Sequence, residues 1–332
     1  MKISRIMGLA GCVMALLGQI TVWAENLPDR VSGSFPCQEG TLTVDAAVTY
    51  QEEAAFTGTA SMIPFQKELV KEFFGEPEYW REDTQFGEDT LVYEENGLFE
   101  KSVILGSEDE QGRSFHMEME LRSSEEYEAI RQRMKVTDTQ QAIDILGISA
   151  DVTGWMNSDP YYFETLQGKI NGVHVAAYSP VKSTGQICYE YGDMTGVQFQ
   201  GNYEVKEMEP AKLLSMDEIL ERVRQYTEDG TIKLIYTTGD IYGGTGDSMT
   251  YDPEEINTVY ELELQYYLER SGDEITFRPV WVFKMPNMLN EMGGEDEAAE
   301  DVHFAEDAFY LDAQDGTYLS TNVASNVAVP QG

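Results

Sequence analysis

The chain has 332 residues, with 60 acidic against 22 basic side chains and a formal net charge of −38. Its 42% apolar content supports a sizeable core and excludes wholesale disorder, while the shortage of cations excludes the basic patch that nucleic acid requires. Three cysteines and three histidines are too few for a zinc framework or a disulfide-rich scaffold.

Lys2 and Arg5 precede an uncharged, mostly apolar run over 6–23, and Val22 and Ala24 place small residues at −3 and −1 before Glu25. These are the parts of a secretory signal peptide over 1–24, which predicts cleavage after Ala24 and export. Two rival readings exist. Leu9-Ala10-Gly11-Cys12 has the form of a lipobox that would lipidate Cys12, although the run before Cys12 is short and 13–23 stays apolar where a polar tether is usual. An uncleaved anchor is the other, because about 18 apolar residues just span a bilayer. All three place the folded part outside the cytoplasm, secreted or held at the envelope, with no membrane domain beyond this segment. No Asn-x-Ser/Thr acceptor occurs, which fits a bacterial exported protein.

Residues 25–40 carry Pro28, Gly33, Pro36 and Gly40 and read as a flexible lead-in. Leu42, Val44, Ala46, Val48 and Tyr50 then alternate with more polar residues, a period of two that predicts a strand. Phe65, Leu69 and Phe73 are spaced four apart and predict a helix closed by Gly75. Asn96-Gly97 joins two apolar runs as a hairpin, and Phe115, Met117, Met119 and Leu121 alternate again, with His116 on the polar side. Ser123 with Glu126 and Thr137 with Gln140 form capping boxes, the second opening a helix near 139–146 that ends at Gly147. Strand-like runs follow at 161–165, 173–178, 187–191 and 197–203.

The charged stretch 204–212, with Pro210, is taken as a domain boundary. Beyond it Ser215 and Glu218 form a capping box for a helix with Ile219, Leu220, Val223 and Tyr226 on one side. Strands are predicted at 232–237, 259–268, 275–284, 308–312 and 317–319. Tyr260, Leu262, Leu264, Tyr266 and Leu268 alternate with Glu261, Glu263, Gln265 and Glu269, which predicts an antiparallel sheet with one wet face. The expected fold class is α+β: two domains, 41–209 and 210–324, each an antiparallel sheet with one or two helices packed on one face. The helix at 214–226 is expected to lie on the strands that follow it.

Arg278-Pro279-Val280-Trp281-Val282-Phe283 and the closing run from Ala308-Phe309-Tyr310-Leu311-Asp312 to Gly316-Thr317-Tyr318-Leu319 carry a family likeness. Over about residues 213–320 the chain resembles the PepSY-type module of peptidase propeptides and exported bacterial envelope proteins. The resemblance implies a regulator or inhibitor-like partner of an exported peptidase. The whole chain also resembles uncharacterised secreted proteins of Gram-positive bacteria, which implies no activity. From the residues themselves, Asp312-Ala313-Gln314-Asp315-Gly316 is a turn, with Asp capping its own backbone and Gly supplying positive φ.

The chain lacks strong catalytic signatures. Ser179-Pro180-Val181-Lys182 matches S-x-x-K, in which Lys activates Ser, but the companion S-D-N and K-T-G are missing and Pro180 disfavours the helix that normally carries it. Gly243-Gly244-Thr245-Gly246-Asp247 lacks the lysine of a phosphate loop and reads as a flexible loop. His116, His174 and His303 are far apart in sequence. The acidic loop from Glu295 to Asp307 offers oxygen ligands that calcium favours, but it has no D-x-D-x-D-G pattern and reads as a solvated charge run. Tyr161-Tyr162-Phe163 and Tyr266-Tyr267 read as strand core or, alternatively, as stacking platforms. Cys37 and Cys188, the cysteines left after signal cleavage, can pair in an oxidising compartment or serve as small buried hydrophobes. No catalytic residue, cofactor or metal is assigned. The expected function is an exported, non-enzymatic binding or interaction protein with a protein or peptide partner. The peptidase regulator and a carboxylate-based hydrolase are its rivals.

Overall fold

The structure is a computed structural model and describes residues 27–38, 40–63, 80–83, 90–95, 99–105, 114–121, 138–158, 161–190, 193–232, 234, 241–242, 248–249, 257–271, 274–286 and 302–320. The signal segment, the helix expected near 65–73, the box at Ser123, the loop at Gly243–Asp247 and the acidic loop through 301 lie outside these residues.

In chain order the first strands are β1 (Arg30–Cys37), β2 (Gly40–Thr49), β3 (Phe56–Met62), β4 (Trp80–Asp83), β5 (Thr90–Glu95), β6 (Phe99–Leu105) and β7 (Ser114–Leu121). Helix α1 (Thr139–Leu146) precedes β8 (Ala150–Ser158), β9 (Tyr161–Ile170), β10 (Val173–His174), β11 (Thr184–Glu190), β12 (Asp193–Gln200) and β13 (Tyr203–Pro210). Helix α2 (Met216–Glu228) precedes β14 (Ile241–Tyr242), β15 (Ser248–Met249), β16 (Thr258–Ser271), β17 (Glu274–Pro286), β18 (Val302–Asp312) and β19 (Tyr318–Ser320). The fold is α+β, with strands dominating.

Seventeen of these strands are joined in one sheet network, while β14 and β15 pair separately. The network has two halves. A terminal half runs β1-β2-β16-β17-β18-β19, with β3 paired to β17 on one side and to β13 on the other. A central half is an antiparallel ladder, β4-β5-β6-β7-β12-β11-β9-β8. Strand β18 belongs to both, because Val302–Phe304 pairs with β8 before Ala305–Asp312 pairs with β17.

Alternation is visible where one face is covered. In β2, Leu42, Val44 and Ala46 are buried while Thr41, Asp45 and Ala47 are exposed. Val31 and Phe35 of β1 face the same core, so the flexible lead-in expected over 25–40 is in fact a strand from Arg30. Its period is disguised at Gly33, where the Phe35 ring leaves no room for a Cβ.

Helix α2 begins with the expected capping box. The Glu218 amide donates to Ser215 Oγ (3.4 Å), and the Ser215 amide donates to the Glu218 carboxylate (2.8 Å). Its Met216, Ile219 and Val223 join the core that holds Val31 and Phe35. The helix therefore lies against β1, which precedes it, rather than on the strands after it alone. In α1 the cap is Asp138, one residue beyond the expected Thr137, and its carboxylate accepts from the Gln141 amide at 2.9 Å. Gly147 ends α1 at φ 63, as expected. Ala142, Ile143 and Leu146 share a second core with Leu166, Ile187, Val197 and Phe199.

Two further differences concern long-range pairing. The charged stretch taken as a boundary is strand β13, and it pairs antiparallel with β3. Beyond it β16 runs parallel to β2. Strands of 40–62 and of 258–286 thus share one half-sheet, and the pairing crosses the division expected at 209/210. The face of β16 read as wet is also largely covered, with Gln265 fully buried and Tyr267 5% exposed.

At Gly58 the β3 backbone comes so close to β13 that a Cβ would lie 2.0 Å from the Glu207 carbonyl oxygen. Gly58→Ala should force β13 away from β3 and lower stability by about 1–3 kcal/mol, read from urea unfolding. A neutral result would mean that β13 is not seated as described.

Candidate functional site

The strongest concentration of polar chemistry lies where the two half-sheets meet. Segment 173–181 leaves the β9–β10 hairpin and runs along β16 beyond the reach of β2. Val175 bridges to Tyr266, the Ala176 amide donates to Tyr266 O at 2.8 Å, and the Val181 amide donates to Leu268 O at 3.2 Å. This places His174, from β10, between Asp151 of β8 and Glu263 of β16.

His174 Nδ1 lies 2.8 Å from Glu263 Oε1, and Nε2 lies 3.0 Å from Asp151 Oδ2. Glu263 is also bonded to Lys284 of β17 and accepts from Gln265 Nε2 at 2.8 Å. Lys284 reaches Glu261 at 3.5 Å, whose other oxygen accepts from Thr49 of β2 at 3.1 Å. Asp151 accepts from Lys169 Nζ at 2.6 Å. Beneath the charges, Gln167 Nε2 donates to Gln265 Oε1 at 3.0 Å and to the Val175 carbonyl at 2.9 Å. Side-chain exposure is 12% at Lys284, 13% at Glu263 and 19% at His174, against 49% at Asp151.

The low exposure sets the electrostatics. Burial alone would raise the Glu263 carboxyl, but His174 and Lys284 outweigh it and bring its pKa down to about 2. Burial opposes charge on His174, and the two carboxylates reverse that, raising its pKa above the usual histidine value. Burial likewise opposes ionisation of Asp151, whose partners Lys169 and His174 lower its pKa. With a carboxylate oxygen facing each ring nitrogen, the site favours the imidazolium form of His174. That form has no free nitrogen with which to take a proton from a substrate.

The other residues singled out in the sequence fall elsewhere. Ser179 is fully buried, and its Oγ accepts from the Leu268 amide at 3.1 Å. Lys182 donates to the Ala177 carbonyl at 3.1 Å and lies over the Tyr178 ring, 5.7 Å from its centroid. Burial lowers its pKa. The S-x-x-K residues are thus engaged in closing the edge of β16, as a polar connection between strands. Asp312-Gly316 is the expected turn. Asp312 Oδ1 accepts from the Gln314 amide at 2.7 Å, the Gly316 amide donates to Asp312 O at 2.9 Å, and Gly316 has φ 76. Arg278 holds this turn through Asp312 (3.1 Å) and reaches Glu269 (3.0 Å).

Tyr266 and Tyr267 are core residues. In the other aromatic run Tyr161 is 46% exposed, and Tyr162 donates to Glu164 at 3.1 Å. Cys37 lies in β1 and Cys188 in β11, on different half-sheets. Burial raises the pKa of the Cys37 thiol. Of the three histidines, only the His174 side chain is among those described. Among the described residues no group of three or more His, Cys, Asp or Glu is placed to hold a metal ion, and no helix is long and apolar enough to cross a membrane.

A second feature is an open groove at the rim of the terminal half, lined by Thr59, Ser61, Lys206, Glu207, Ser271 and Glu274. It runs beside β13, where Glu204, Lys206, Glu207, Met208 and Glu209 are exposed. The register shifts between Val205 and Glu207, a bulge in the strand. The sequence signal for this surface is the charged stretch 204–212 itself, taken above as a domain boundary. For the junction there was no local signal beyond charged residues inside apolar strands, because His174 and Glu263 are 89 positions apart.

No family model matches the chain, and no curated protein matches it. Solved structures similar to it include an uncharacterised protein from Eubacterium rectale ATCC 33656, 13% identical over 88% of this chain and 94% of that one, with a TM-score of 0.46. Another is YycH from Bacillus subtilis, 11% identical over 81% of this chain, with a TM-score of 0.37. The match covers 58% of the YycH chain. Neither likeness assigns a function.

Two outcomes test this placement. Ser179→Ala should leave the buried Leu268 amide without its acceptor and cost about 1–3 kcal/mol of stability in denaturant unfolding. Alkylation of unfolded, non-reduced protein should modify both Cys37 and Cys188. Modification that required a reductant would instead restore the disulfide.

Proposed function

We propose that the chain is an exported, non-enzymatic interaction protein of the bacterial exterior or cell envelope, and that it docks a cationic extended segment of a protein partner along β13. The observation that carries this reading is β13, an exposed, mostly acidic strand that among the described strands pairs only with β3, beside an open groove. Met208, 49% exposed, supplies apolar contact area among Glu204, Glu207 and Glu209. The bulge, the acidic side chains and Pro210 hinder addition of a second copy of this acidic chain. A cationic strand meets attraction at the same edge and is steered to it by the overall charge of −38. The groups that looked catalytic support the reading too, since Ser179, Lys182 and His174 each serve internal partners.

Export rests on the charged start, apolar run and small-residue exit of 1–24. The division supported best by the pairing puts β1–β3, β13 and β16–β19 in a terminal lobe and β4–β9, β11 and β12 in a central lobe. A regulator of an exported peptidase is the narrower form of the same proposal, supported by the PepSY-like residues around Asp312.

A synthetic peptide alternating lysine and valine provides the probe. At low salt it should slow hydrogen exchange of the 203–210 amides, and Glu207→Lys with Glu209→Lys should weaken its binding about tenfold, or about 1.4 kcal/mol. Binding that protects other amides, or that ignores the charge reversal, would overturn the β13 site.

A further inference from the structure

We infer that His174 is a proton-operated latch between the two half-sheets, tying Asp151 of the central half to Glu263 of the terminal half only while both of its ring nitrogens carry hydrogen. The geometry requires this. Each nitrogen faces a carboxylate oxygen, at 2.8 and 3.0 Å. A neutral imidazole has one donor and one acceptor, so it keeps one carboxylate and turns a lone pair toward the other.

The charged groups around His174 come from every strand packed on it. They are Asp151 from β8, Lys169 from β9, Glu261 and Glu263 from β16, and Lys284 from β17. Three carboxylates thus face two lysines and the histidine, and the cluster is balanced only with the imidazolium present.

The release is asymmetric. Glu263 keeps Lys284 and Gln265 as partners and is the more buried carboxylate, so the neutral ring retains its Nδ1–H on Glu263. Asp151, half exposed and already paired with Lys169, is the side that lets go. The Gln167–Gln265 bond is uncharged and persists. Loss of the proton therefore frees Asp151 of β8 from His174, while the His174–Glu263 contact, the Gln167–Gln265 bond and the β8–β18 pairing keep the halves together.

The sign follows from linkage. A histidine whose folded pKa is raised contributes stability that is complete below its unfolded pKa of about 6.5 and is lost as pH rises through the folded pKa. Glu263 and Asp151, with depressed values, contribute stability that fails only as pH falls through theirs. The latch is closed below the raised pKa of His174 and opens as pH rises through it.

With three histidines in the chain, imidazole NMR of the full-length exported form is the direct test. His174 should titrate above 6.5, with both ring N–H protons visible in its acid form, and Asp151→Asn should lower that titration. The stability gap between wild type and His174→Gln should narrow as pH rises through it. If His174→Gln fails to fold, the wild-type titration and the Asp151→Asn shift decide alone. Titration at or below 6.5, or a gap that does not change with pH, overturns the latch.

Discussion

A strand buried on both faces must find hydrogen-bond partners for its backbone within the protein, since water does not reach it. Strand β16 is under that constraint along most of its length, and so is β17 beside it. One edge of β16 is satisfied by β17. The other is shared: β2 pairs with its first half, and the segment after β10 covers the second. Ser179 supplies a hydroxyl oxygen to the Leu268 amide, which the passing backbone leaves unmet. The parallel pairing with β2, the path of 173–181 and the position of His174 all follow from completing that edge.

The same closure brings charge into a place of low exposure. Burying ions is costly unless each is paired and its remaining donors and acceptors are satisfied. The chain has few cations, and two of those it has are placed where acids are buried: Lys284 at Glu263 and Arg278 at Asp312. Acids of β13 such as Glu204, Glu207 and Glu209 are left for solvent, where they repel like-charged neighbours.

What could be read from the sequence was local. The alternation in β2, the capping box of α2, the glycine that stops α1 and the turn at Asp312 each depend on residues a few positions apart, and each is found. The lead-in was misread because Gly33 breaks the apolar period to admit the Phe35 ring. The charged stretch 204–212 looked like a domain boundary because a strand exposed on both faces has the composition of a connecting segment. The covered face of β16 and the junction at His174 depend on strands brought together from 89 residues or more away in sequence, and no local pattern records a partner at that distance.

Strand β18 pairs with both half-sheets and lies close to the C-terminus of the chain. The terminal half also needs β1 to β3 to wait for β16 and β17, a separation of some two hundred residues in the β2–β16 pair. The first strands are therefore stably housed only once β16 and β17 have been made. High contact order of this kind slows folding. Strand β18, which follows β17, then ties the two halves together through β8 and β17.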